Sequence, residues 1–134
     1  MRYEVLEHTA DVMIKAYGET LEECFQNAAF GMMDQIVDAS SAEALVEEHL
    51  TAEGSTLDDL LYNFLSEVLF IFDAKGLLLN EFDVTIGEGM LKCRAKGERF
   101  DATKHSPRQE IKAVTYHMLQ VNEEEPSITV LFDV

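Results

Sequence analysis

The stretch STLDDLLYNFLSEVLFIFDAKG, running from Ser55 to Gly76, decides the fold. Ser55 and Thr56 stand just ahead of Asp58 and Asp59, so a hydroxyl caps the first turn and two carboxylates sit at the positive end of the helix dipole. Leu57, Leu60, Leu61, Phe64, Leu65, Val68, Leu69, Ile71 and Phe72 then cover most of the circumference. A helix apolar on nearly every side belongs in the middle of a fold. Lys75-Gly76 supplies the cation and the left-handed residue that end it.

Working outward, Thr20-Leu21-Glu22-Glu23 is a capping box, with Thr20 as N-cap and Glu23 reaching back. Leu21, Phe25, Ala28, Ala29, Met32 and Ile36 follow it at helical spacing, and this first helix is expected to end near Val37–Ser41. Leu77–Ile86 and Leu91–Phe100 read as strands paired around Gly87-Glu88-Gly89. Ser106-Pro107 is a break. Ile111–Val121 and Ile128–Asp133 read as a second hairpin, turning at Asn122–Pro126. Tyr3–Leu6 and Val12–Tyr17 are short strand candidates. Residues 43–53 lean helical in propensity, but the breaks on either side leave a strand open. Helices set between separate groups of strands give the α+β class. The expectation is one domain spanning residues 1–134, a mixed or antiparallel sheet packed with two main helices.

The 134 residues suffice for a full core. No apolar run is long enough to span a bilayer, and Met1-Arg2-Tyr3-Glu4 does not open a secretory leader, so a cytoplasmic protein off the membrane is expected. Cys24 and Cys93 read as small buried hydrophobes in a reducing compartment. The net charge of −16 argues against nucleic-acid binding, which needs a cationic footprint. Basic residues do gather between 75 and 112. Lys92, Arg94 and Lys96 alternate there, so they share one face of a strand that either meets an acidic partner or is solvated.

The remaining chemistry lies at the two ends of the chain. Asp11 precedes the strand-like run Val12–Tyr17, and Asp133 closes Ile128–Phe132. If those strands are neighbours, two carboxylates meet, and the α-carboxylate of Val134 adds a third oxygen donor group. Three such groups need protons, basic side chains or a cation to coexist, and oxygen-only donors suit hard ions such as Ca²⁺ or Mg²⁺. The alternative is a capping aspartate and an unrelated chain end. His8 either pairs with these carboxylates or is a half-buried residue satisfied elsewhere, and His117 stands the same way. Lys112 either neutralises the cluster or is one more surface lysine. No phosphate loop, dinucleotide fingerprint or Cys-x-x-Cys pair occurs, and no two histidines stand four apart.

Longer blocks carry a resemblance. His8-Thr9-Ala10-Asp11, Tyr17-Gly18-Glu19-Thr20-Leu21-Glu22-Glu23 and Asn27-Ala28-Ala29-Phe30-Gly31 resemble the opening of the archease family. Leu60 through Phe70 resembles its central helix, Glu110-Ile111-Lys112-Ala113-Val114-Thr115-Tyr116-His117 its most characteristic motif, and Val130-Leu131-Phe132-Asp133-Val134 its C-terminus. The blocks come in the family's order and span nearly the whole chain. The resemblance implies a non-catalytic activator of an RtcB-type tRNA-splicing RNA ligase. Such an activator promotes guanylylation of the ligase, restores its turnover and broadens its nucleotide use. It implies a divalent cation, calcium first and magnesium or manganese as alternatives, on Asp11, Asp133 and the terminal carboxylate of Val134. It implies a functional Lys112, with His8, Tyr116 and His117 beside it, and a strand for residues 43–53. The competing readings are a small metal-dependent hydrolase or nucleotidyltransferase on the same carboxylates, and a general chaperone.

Overall fold

The computed structural model describes residues 1–6 and 10–134. In chain order its elements are β1 (Tyr3–Leu6), β2 (Val12–Tyr17), α1 (Leu21–Ile36), a 3-10 turn (Ala39–Ser41), β3 (Val46–Glu53), α2 (Leu57–Lys75), β4 (Leu77–Gly87), β5 (Met90–Arg99), β6 (Ala113–Asn122) and β7 (Ser127–Asp133). The helix signals act as their chemistry requires. Thr20 Oγ1 accepts from the Glu23 amide and Thr56 Oγ1 from the Asp59 amide, each at 3.1 Å. Gly76 takes the left-handed conformation, and its amide closes α2 on the Phe72 carbonyl.

The fold is α+β, and among the described residues every strand pairing is antiparallel. One sheet has the order β1-β2-β7-β6, the other β3-β5-β4. Both helices bridge the sheets: α1 packs on β4 and β2, and α2 on β3 and β6. The rings of Phe25 in α1 and Phe82 in β4 lie 6.2 and 6.4 Å from that of Phe64 in α2. Residues 43–53 contain the strand β3, against their helical propensity. Only Leu50 and Ala52 of β3 turn fully inward, so its alternation is short, and pairing along the whole of β5 decides its state.

Cys24 and Cys93 are buried and free, and burial pushes their thiols up to about 11 and about 12. The stripe Lys92, Arg94, Lys96 faces Thr51, His49 and Glu47 on one side and Thr85, Asp83 and Glu81 on the other. All three are exposed: Lys96 lies between two glutamates and Arg94 is 3.6 Å from Asp83, whereas Lys92 lies between two threonines. At Gly97 the two-stranded contact closes so far that a Cβ would lie 1.9 Å from the Leu78 carbonyl oxygen, next to the bulge between Leu79 and Glu81.

Residues 100–112 carry the chain from one sheet to the other. Buried His105 fixes their start. Its Nδ1 accepts from the Asp101 amide at 2.9 Å, so its proton lies on Nε2, which meets Glu98 Oε1 at 2.7 Å. Glu98 also accepts from Lys104 Nζ and from the Glu43 amide, and these bonds hold its carboxyl down to about 2. Farther on, the Arg108 amide donates to the Ile36 carbonyl at 2.7 Å, and Val37 bridges to Pro107.

Glu98 has a folded pKa below its ordinary value, so its contribution to stability is complete above about 4.5 and is lost as pH falls toward about 2. Chemical denaturation across that window should show a steep acid limb for the wild type. Glu98→Gln should start less stable at neutral pH and lose less on acidification. Parallel limbs for the two proteins would show that Glu98 carries no such linkage.

Candidate functional site

Strand β7 is interior, between β2 and β6, and this places the site. Val12 pairs with Phe132, so one step further the same register sets Asp11, at the bend before β2, against Asp133. Directly opposed residues on an antiparallel pair share a face, with Cβ atoms roughly 5 Å apart. On the other side of β7, Ala113 pairs with Asp133, and the Lys112 amide donates to the Asp133 carbonyl at 2.7 Å. Asp133 is exposed and Val134 partly so. Among the described residues no three His, Cys, Asp or Glu side chains are grouped to hold a metal. Among the described residues the register brings two side-chain carboxylates together here, Asp11 and Asp133. His8 lies outside the described residues.

Lys112 is one residue out of phase with this pair. By strand alternation it stands level with Val134 and shares the helix side with Val114, whereas Asp133 shares the opposite face with Ala113. Lys112 lines a cleft of about 230 Å³, facing Tyr62, Ser66, Leu69, Phe70 and Asp73 of α2. The lysine and the carboxylates thus occupy one end of the sheet from opposite faces, joined by the Lys112–Asp133 main-chain bond.

Tyr116 and His117 follow in β6, where the register breaks. Thr115 pairs with Leu131 and Gln120 with Thr129, so four residues of β6, Tyr116 to Leu119, lie opposite Val130 alone. Within this bulge Met118 takes a left-handed φ of 59°. Tyr116 turns to α2: its ring stacks on Tyr62 with centroids 4.1 Å apart and planes 13° from parallel, and its hydroxyl donates to Asp59 Oδ1 at 3.0 Å. That bond, with those from Ser55 and Thr56, lowers the Asp59 pKa, while desolvation and the same bond raise that of Tyr116. His117 is exposed. The Tyr116–Tyr62 stack and the bulge escaped the reading of the sequence. The one local sign was an unbroken run of long side chains, Tyr116-His117-Met118-Leu119, where a half-buried strand would alternate.

The sequence profile of the archease protein family (MTH1598/TM1083) matches residues 3–134. The protein archease of Pyrococcus furiosus is 43% identical over 124 residues, which cover 90% of this chain and 87% of that protein. That of Danio rerio is 34% identical, with 99% of this chain and 85% of the relative covered. Among solved structures, the solution structure of Methanobacterium thermoautotrophicum protein 1598 superposes with a TM-score of 0.86 at 35% identity, covering 99% of both chains. The crystal structure of a Thermotoga maritima archease, described as a possible chaperone, reaches 0.64 at 20% identity over 96% of this chain and 94% of that one, a likeness of fold.

Replacing Tyr116 with Phe removes the first of the bonds that lower the Asp59 pKa. An NMR titration of the Asp59 carboxyl should place its midpoint higher in Tyr116→Phe than in the wild type. Equal midpoints would mean that the hydroxyl does not hold Asp59 in solution.

Proposed function

This chain belongs to the archease family, and from that premise we propose that it is a non-catalytic activator of an RtcB-type tRNA-splicing RNA ligase. In this role it promotes guanylylation of the ligase, supports repeated turnover and broadens nucleotide use. The single observation that carries the reading is the register that sets Asp11 against Asp133 while tying Lys112 to Asp133 through the main chain.

The donor chemistry fits a hard divalent cation, calcium first. Asp11, Asp133 and the terminal carboxylate of Val134 offer oxygen only, and the exposure of Asp133 leaves room for water or a phosphate oxygen in the ion's shell. Bound there, the cation supplies positive charge for the phosphates that nucleotidyl transfer moves. The protein's own residues do the rest. Asp11 and Asp133 hold the site on adjacent strands, so that neither moves without the other. Lys112 presents a second positive charge from the opposite face, away from the carboxylates' side of the sheet, where it can reach a phosphate of the ligase's nucleotide.

A −16 chain does not compete with the ligase for tRNA, and two of the three stripe cations, Arg94 and Lys96, stand opposite acidic side chains of adjacent strands. In filter binding at physiological salt, its Kd for tRNA should be weaker than the roughly 10⁻⁴ M of the weakest non-specific binders. Salt-dependent binding abolished by reversing Lys92, Arg94 and Lys96 would refute this.

Added in catalytic amounts, the protein should turn a single-turnover ligase into a multiple-turnover one and ligate nothing alone. Asp11→Ala and Asp133→Ala should lower calorimetric Ca²⁺ affinity by more than the roughly tenfold typical of outer-sphere partners and remove activation. Lys112→Ala should keep or tighten Ca²⁺ binding, since it removes a positive charge, and still lose activation. The decisive readout is guanylylated ligase formed per unit time at fixed metal and GTP. Wild-type rates in all three variants would make the cluster structural and end this proposal.

A further inference from the structure

The outer face of α2 and the β6 bulge leave large apolar side chains in water, Phe70 in the Lys112 cleft and Tyr116 against its margin. Phe70 is 59% exposed, Tyr116 51% and Met118 56%. Phe70 lines the same cleft as Lys112, and Tyr116 stands on Tyr62, another residue of that cleft. Scattered single exposures need no explanation, but aromatic side chains adjoining one another around one cleft form a patch.

The backbone of β6 is distorted two residues beyond Tyr116, where Met118 takes its left-handed φ. A bulge on an edge strand has an ordinary use, since β6 ends its sheet and a bulge blunts the edge against stray pairing. That use would be met at lower conformational cost by Gly or Asn at the left-handed position. A methionine there carries strain and exposes a flexible apolar side chain, which a purely protective bulge does not require.

Charge surrounds the apolar centre. Exposed Asp58, Glu67 and Asp73 project from α2, and Glu110 approaches Asp73 closely enough to add, after burial, to the rise in its pKa. A second copy of this chain would bring an identical acidic rim to the face, and nucleic acid would bring phosphates. Both are repelled. A protein surface with an apolar centre and a basic rim is attracted.

We infer that the α2 face and β6 bulge, centred on Phe70, Tyr116 and Met118, are the surface on which the activated ligase docks, through an apolar centre and basic rim of its own, beside Lys112. This rests on the functional reading above and names the surface that reading leaves open. Docking here sets Lys112 at the margin of the interface.

The test measures both ligase binding, by biolayer interferometry, and guanylylation as a function of activator concentration. Phe70→Glu replaces a side chain that is mostly in water, so the fold should persist. Met118→Gly relieves the left-handed strain, so thermal stability should be unchanged or raised, and a merely structural Met118 would leave function alone. Both variants should weaken ligase binding at least about tenfold and raise the half-saturating concentration equally, with the maximal rate kept. Asp58→Lys combined with Glu67→Lys should weaken binding and flatten its salt dependence. Wild-type binding by both Phe70→Glu and Met118→Gly overturns the docking surface. So does a wild type that fails to bind the ligase, or one that dimerises in sedimentation while Phe70→Glu stays monomeric. A wild type that binds without stimulating guanylylation ends the functional reading instead, and the docking surface is then judged by the binding constants alone.

Discussion

The contact on which the architecture rests is the ring of Phe64. It is fully buried, lies beside Phe25 of α1 and meets Phe82 of β4 edge-on. Three elements from three parts of the chain are joined there, and burial of aromatic surface is among the larger contributions a core side chain makes. With the helices held together at this point, each has a face for both sheets. The three-stranded sheet closes on one side and the four-stranded sheet on the other. The β6 end of the four-stranded sheet then comes to rest along α2, which is why Lys112 and Tyr116 face that helix.

What could be read from the residues follows how local the deciding physics is. Thr20, Thr56 and Gly76 act through bonds within one turn, so both helices were legible, as was the hairpin around Gly87-Glu88-Gly89, where Gly89 adopts a positive φ. The approach of Asp11 to Asp133 was legible only as a condition, that their strands be neighbours, and the register meets it. The strand β3 was not legible from propensity because its state depends on β5, some forty residues away. Neither was the buried Glu98–His105 pair, whose partners come together only through the turn after β5. The β6 bulge is a further case: Tyr116 at its start stacks on α2, and a period of two along β6 cannot register that contact.

Electrostatics divide the molecule. On the three-stranded sheet, opposite charges alternate across strands, so a strongly acidic chain presents a balanced surface there. On α2 the balance is lost: Asp58, Asp59, Glu67 and Asp73 stand against Lys75 alone. Negative charge on this helix therefore accompanies the exposed Phe70. This combination favours specific association with one kind of surface over general stickiness, since the acidic rim rejects partners that the apolar centre alone would accept.

Strand β7 follows every other element of the domain in chain order, yet it lies in the interior of its sheet, between β2 and β6. One edge of β2 must therefore stay unpaired until β7 leaves the ribosome. Contacts between distant parts of a chain are slow to form, because loop closure precedes any gain from them. The three-stranded sheet and α2 are contiguous in sequence and can assemble first. Strands β1 and β2 can pair with each other and pack on α1 early, but they join β6 in one sheet only as β7 arrives. Completion of the sheet and juxtaposition of Asp11 with Asp133 are then the same event. A nascent chain, or one cut short before β7, has no assembled site, and the acidic pair appears only on a finished domain.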